Sequence, residues 1–179
     1  MATPRFMLAG QSSGCGKTTV TCAVLQALVN RGLQVGAFKC GPDYIDPMFH
    51  SRVIGAKARN LDLHFFSENT LRCLLAQNAA DRDVSVIEGV MGYYDGAGLT
   101  SEKASSYEVA KVSRTPVVLV VNARGAALSL LPVIQGFLHF RASSGIRGVI
   151  LNQCTAMTYG ALKPCIEAQC GIRCYGFLP

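Results

Sequence analysis

Along the chain, apolar residues alternate between two rhythms. Solid apolar runs of strand length at 6–9, 35–38, 84–88, 117–122, 148–151 and 174–178 are separated by longer stretches of helical period at 18–31, 68–78, 105–113, 126–141 and 160–168. In the first helical stretch Val20, Val24, Leu25 and Leu28 share a face, and Gly32 supplies a stop. Ser67 is placed to cap the second. Pro132 must lie in the first turns of 126–141 or bend it. The pattern is β-α repeated, with strands apolar on both faces. Such strands need cover on both sides, which a parallel sheet between helical layers provides. We expect one α/β domain over 1–179, a mostly parallel sheet flanked by helices on both faces. Segment 40–63, with Pro42, Pro47 and two glycines, breaks the rhythm and reads as a long functional loop with one short helix.

Ligands bind such sheets at the carboxyl ends of strands. The first strand runs into Gly10-Gln11-Ser12-Ser13-Gly14-Cys15-Gly16-Lys17-Thr18-Thr19 and then a helix. Glycines let backbone N–H groups turn inward around phosphates, and the helix start adds free N–H groups and the positive end of its dipole. Lys17 would reach the β- and γ-phosphates and the Thr18 hydroxyl would bind Mg²⁺, as in a P-loop NTPase. The usual pattern has glycine six residues before the lysine; here Gln11 stands there and Gly10 one further back, so the loop is longer by one. We assign Ser12, Ser13, Gly14, Cys15, Gly16, Lys17, Thr18 and Thr19 to a site for ATP.

Other strand ends carry polar groups. Glu88 stands at the tip of 84–88, where a P-loop enzyme places a carboxylate toward Mg²⁺. A carboxylate buried there would be costly without a cation. Lys39 is followed by Asp43 and Asp46, which can serve metal and phosphate, or cap a proline-rich turn. Asp95 lies in a glycine-rich turn, where aspartate is ordinary. Asn152 ends strand 148–151 with an amide that can pair with a base edge or simply form a turn. His50, His64 and His139 show no ligand spacing and read as solvated or structural.

Composition narrows the partners. Half the residues are hydrophobic and the formal charge is +6, which suits polyanions without choosing among them. No basic run is interleaved with aromatics, so nucleic acid is not expected. No apolar stretch approaches the roughly 20 residues of a membrane span, and no leader precedes the first strand, so we expect a cytoplasmic protein with no membrane partner. The eight cysteines read as free thiols; the last four lack paired Cys-x-x-Cys spacing, a metal site being the alternative.

Taken together, Lys39-Cys-Gly-Pro-Asp-Tyr-Ile-Asp-Pro47, Glu88-Gly-Val-Met-Gly-Tyr-Tyr-Asp-Gly96 and the long loop from Gly10 to Thr19 resemble the ATP-binding synthetase domain of the cobyrinic acid a,c-diamide synthase family. That family is similar in fold to dethiobiotin synthetase. Septum-site and partition ATPases carry an extra lysine where this chain has Ser12. The resemblance implies ATP- and Mg²⁺-dependent amidation of the a and c acetates of a corrin-type tetrapyrrole in cobalamin biosynthesis, through an acyl phosphate. It implies that Lys17 and Lys39 flank the phosphoryl group and that Thr18, Asp43 and Glu88 hold Mg²⁺. Asp95 would face the acyl phosphate and ammonia; Tyr44, Asp46 and Tyr94 would shape the substrate mouth; Asn152 would read adenine. The family continues into a glutaminase domain, which we expect to be absent from this chain. Nitrogen would then come from that domain elsewhere or another ammonia source. Oligomeric state stays open, a homodimer being one option. The alternatives are a dethiobiotin-synthetase-like ligase and a regulatory P-loop ATPase.

Overall fold

A computed structural model describes residues 3–179. The elements in order are β1 (Arg5–Gly10), α1 (Lys17–Asn30), β2 (Val35–Cys40), α2 (Ile45–Phe49), a π-helical turn (His50–Ile54), β3 (Lys57–Leu61), α3 (Glu68–Ala79), β4 (Val84–Glu88), α4 (Ser106–Ser113), β5 (Val117–Asn122), α5 (Leu130–His139), β6 (Ile146–Asn152), α6 (Ala156–Cys170) and β7 (Arg173–Phe177). The strands form one sheet in the order β3-β2-β4-β1-β5-β6-β7. Every pairing is parallel. The expected α/β architecture is what the chain adopts.

The central strands are buried on both faces, which explains their unbroken apolar runs. Met7 and Ala9 point into a layer with Leu71 of α3, Val109 of α4, Ile134 of α5 and Ile166 of α6. Leu8 points the other way, into a layer with Val20 and Leu25 of α1. From β1 the chain first builds toward β2 and β3, then returns through β4 and crosses to β5, β6 and β7. The carboxyl end of β1 is therefore the point where the winding reverses, and a crevice opens there.

Segment 40–63 is not a loop throughout. Its last part is β3, an edge strand paired with β2. Only Ala58 and Leu61 of β3 are buried, while Lys57 and Arg59 face solvent. One strand neighbour and a single covered face leave no solid apolar run, so the strand was illegible by hydrophobicity. Two helix ends also move. Thr155 caps α6 by accepting from the Thr158 amide, so the helix starts well before residue 160 and carries Pro164 inside it. Helix α5 begins later than residue 126, and this puts Pro132 in its first turn, where a missing N–H costs nothing. Ser67 caps α3 as expected, accepting from the Thr70 amide.

Candidate functional site

The turn after β1 enters α1 through Gly16, whose φ of 94° is left-handed, and no side chain caps the helix. Gly14 is left-handed too, with φ 73°. Both conformations suit glycine alone. With no capping side chain, the first amides of α1 stay available to an anion. The loop is pinned from neighbouring strands. The Gln11 amide donates to the Val120 carbonyl of β5 at 3.1 Å. Asn152, at the end of β6, donates from Nδ2 to the Cys15 carbonyl at 3.0 Å. A Cβ on Gly16 would run into that same Nδ2. Ser12, Ser13, Gly14, Thr18 and Thr19 face solvent, while Cys15 and Lys17 are buried.

Lys17 Nζ donates to the Ser12 carbonyl at 3.1 Å, so its charge lies inside the loop. Burial lowers its pKa, against the opposing influence of Cys15, Glu88 and Asp95.

Glu88 is the hub of the crevice. It is fully buried. Its Oε1 accepts from the Thr18 hydroxyl at 2.7 Å and from Lys39 Nζ at 2.9 Å. The same Lys39 Nζ donates to Asp46 Oδ2 at 2.6 Å and lies 3.9 Å from Asp43. Burial works against the Lys39 charge, but Glu88 and Asp46 more than offset it, and its pKa is raised. The arrangement answers the cost of a buried carboxylate with a buried cation and a hydroxyl.

His50 joins this cluster, which its sequence position did not suggest. The ring is buried, with Nε2 3.5 Å from Glu88 Oε2. Neither ring nitrogen and not Oε2 has a hydrogen-bond partner. Burial lowers the His50 pKa, with Glu88 and Asp46 pulling the other way. No spacing rule links residue 50 to residue 88; the π-helical turn after α2 brings them together. Such turns often mark functional positions.

The remaining candidates are spread around this hub. Asp43 Oδ1 accepts from the amides of Ile45 and Asp46, at 2.9 and 3.4 Å, so it shapes the start of α2 as well as facing Lys39. Tyr44 is largely exposed. Asp95 is exposed, and its Oδ2 accepts from the Gly92 amide at 2.8 Å, closing the turn after β4. Its charge nonetheless acts on Lys17. Tyr94 donates to the Phe137 carbonyl of α5 at 2.7 Å, and burial pushes its phenol up to about 12. Asn152 braces the phosphate loop, a role beside the base-reading one expected of it.

The donors fit a magnesium ion in kind. Thr18, Glu88 and Asp43 offer hard oxygen ligands, and Glu88 Oε2 has no partner. Among the described residues no three His, Cys, Asp or Glu side chains converge into a ready metal cage. Mg²⁺ keeps waters and phosphate oxygens and takes only one or two protein carboxylates. The eight cysteines are all free thiols, with no metal cluster among the described residues. No described helix is long and apolar enough to cross a membrane.

The model of the CobQ/CobB/MinD/ParA nucleotide binding domain matches residues 6–179. The chain is 41% identical over 175 residues to the cobyrinate a,c-diamide synthase of Salmonella typhimurium, covering 97% of this chain and 38% of that protein. It is 42% identical over 176 residues to the cobyrinate a,c-diamide synthase of Clostridium acetobutylicum, covering 97% of this chain and 40% of that protein. The chain thus spans about two fifths of the length of the curated relatives it matches. Among solved structures, the signal recognition particle receptor FtsY of Elizabethkingia anophelis aligns with a TM-score of 0.70 at 15% identity, over 98% of this chain and 58% of that one. The signal recognition particle 54 kDa protein of Aeropyrum pernix K1, in complex with GDP, aligns with a TM-score of 0.68 at 17% identity, over 100% of this chain and 42% of that one. These likenesses show the fold.

Proposed function

The chain belongs to the CobQ/CobB/MinD/ParA nucleotide-binding domain family, and from that premise we propose that it binds Mg-ATP to activate the a and c acetate carboxylates of a corrin-type tetrapyrrole for amidation. The observation that carries the reading is the junction of Thr18, Glu88 and Lys39 beside the phosphate loop. It sets a hydroxyl, a buried carboxylate and a second lysine where the terminal phosphate of a loop-bound triphosphate would point. The relatives at about 40% identity named cobyrinate a,c-diamide synthase support the choice of substrate.

A carboxylate is a poor electrophile because its leaving group would be oxide. Attack of a carboxylate oxygen on the γ-phosphorus expels ADP and forms an acyl phosphate. Ammonia then adds at the acyl carbon, inorganic phosphate departs, and the surplus proton passes to Asp95. Such transfer needs charge stabilisation more than covalent help. Lys17 and Lys39 flank the transferring group. Thr18, Glu88 and Asp43 would hold Mg²⁺, which would supply neutralisation of the phosphate charge. Asn152 holds the loop and faces the adenine. Tyr44 and Asp46 border the substrate mouth. Nitrogen comes from a glutaminase domain or from free ammonia; none of the eight cysteines lies in a Gly-x-Cys-Gly elbow, and Cys15 is buried in the phosphate loop.

The deciding experiment is ATP hydrolysis by the purified chain with ammonium, against cobyrinic acid, its metal-free relative, nickel sirohydrochlorin, and diaminopelargonic acid with CO₂. Stimulation by a tetrapyrrole acid with amide formation supports the reading. Stimulation by diaminopelargonic acid instead would assign a dethiobiotin-type reaction, and no stimulation by any of them would remove the ligase reading.

A further inference from the structure

The amino-terminal edge of the sheet, opposite the phosphate loop, carries a cavity of about 520 Å³ that the proposed chemistry does not use. It opens between the end of α4 and the turn joining α5 to β6, beside Pro116 and Ile146, where β5 and β6 start. Lys111 in the last turn of α4, Arg114 just after it and Arg147 of β6 stand around it. Among the described residues none of the three forms an ion pair. Among those residues, too, no aspartate or glutamate lines the cavity. Arg5 stands behind the wall, its Nε donating to Thr115 Oγ1 at 3.2 Å. Like charges gathered without a counter-charge repel one another and attract an anion.

Two features set this place apart from ordinary surface charge. Cations near a helix C-terminus complement its dipole, and Lys111 and Arg114 gain from that. Arg147 belongs to a strand, however, and Arg114 holds a backbone conformation that works against it. It caps α4 with φ 51° and ψ 45°, in the left-handed region. Glycine is the usual and less costly residue there. A strained residue that keeps a charged side chain over a cavity fits a ligand clamp. The second feature is the fixed wall. Tyr93 and Ser144 are both buried, and the Tyr93 hydroxyl donates to the Ser144 carbonyl. The Tyr93 ring also meets Tyr107 edge-on, with centroids 5.8 Å apart. A cavity with fixed walls loses little freedom when it fills.

We propose that this cavity is a second anion site, which takes a small multivalent oxyanion: a phosphate chain or a polycarboxylate. Three unpaired cations around one recess, with no carboxylate among them, carry the assignment. The two guanidinium groups present forked N–H donors that match the oxygens of either ligand. Cations that ring a recess suit a small molecule, whereas a nucleic acid needs a basic stripe along a face. The site lies at the far edge of the sheet from the phosphate loop and does not rest on the nucleotide reading.

The test must keep the probe out of the phosphate loop. Tripolyphosphate and citrate are therefore titrated by calorimetry, at low ionic strength, into the Lys17→Ala chain, in which that loop has lost its cation. The same titrations are made with Arg114→Gly or Arg147→Gln added. Lys17→Ala should bind at least one probe, and either added substitution should weaken it about tenfold or more, the scale of a lost charge-assisted hydrogen bond. Tighter binding of tripolyphosphate identifies phosphate groups as the ligand's chemistry, and tighter binding of citrate identifies carboxylates. Arg114→Gly should melt no lower than the original chain, because glycine relieves the left-handed residue. Lost binding in that variant then reports the missing guanidinium rather than a damaged fold. If Lys17→Ala binds neither probe, or if both added substitutions leave the affinity within about twofold, the cavity is not an anion site. If Arg114→Gly melts lower and binds as well as before, Arg114 is a helix cap alone and the assignment is overturned.

Discussion

Lys39 and Glu88 lie opposite each other in register on β2 and β4, with Nζ 2.9 Å from Oε1 inside the sheet's carboxyl edge. Both side chains are almost wholly buried. Removing one partner leaves the other charge unpaired in a dry environment, which costs about 3–5 kcal/mol. Lys39→Met should lower the free energy of unfolding by that order, measured by urea denaturation. A loss below about 1 kcal/mol would show that the pair contributes no more than an exposed one.

Lys17 makes a different kind of contact. Its bond to the Ser12 carbonyl ties down only the loop. Lys17→Ala should leave the melting temperature nearly unchanged while ATP turnover falls about 10² to 10³-fold, as for other charge-stabilising donors. Turnover near the original rate would remove Lys17 from the phosphate site.

Asp95→Asn should keep Mg-ATP affinity and lose product formation. Its Oδ2 accepts a backbone bond that the asparagine oxygen can still accept, so the turn survives. What disappears is the charge beside Lys17 and the ability to take a proton. Equal losses of ATP binding and of turnover would instead make Asp95 part of the nucleotide site.

Asn152→Ala removes a buried donor to the loop carbonyl of Cys15 and opens space against Gly16. A lost buried hydrogen bond of this kind costs about 1–3 kcal/mol. Nucleotide affinity should weaken accordingly, by roughly five- to a hundredfold in titration with ATP. A change confined to adenine-over-guanine preference, with affinity kept, would point to base reading alone.

Stability should fall at alkaline pH, with Cys174 contributing. Burial raises its thiol to about 11 from an ordinary 9.0. Above pH 9 the unfolded chain releases this proton while the folded chain keeps it, so unfolding gains a term that grows until about pH 11. Cys174→Ala should show a shallower decline of melting temperature over that window. Identical slopes would show that the thiol is not protected by burial.

The sheet and most of its helices were legible because a strand buried on both faces must be apolar at nearly every position, as in β5, with its solid Val117–Val121 run. The phosphate loop was legible because its glycines answer local backbone demands: Gly14 and Gly16 occupy left-handed conformations whatever surrounds them. Edge strand β3 escaped because one covered face and one strand neighbour impose too weak a pattern. The grouping of Glu88 with Lys39, and of His50 with both, was beyond local reading. Strand order put residues 39 and 88 side by side, and a π-helical turn carried residue 50 back to them. The sequence by itself determined which segments form buried strands and helices, since that follows from hydrophobic period and backbone freedom. Only the tertiary structure decided which polar side chains share a site, because their electrostatic coupling depends on distances set by winding order rather than by spacing along the chain.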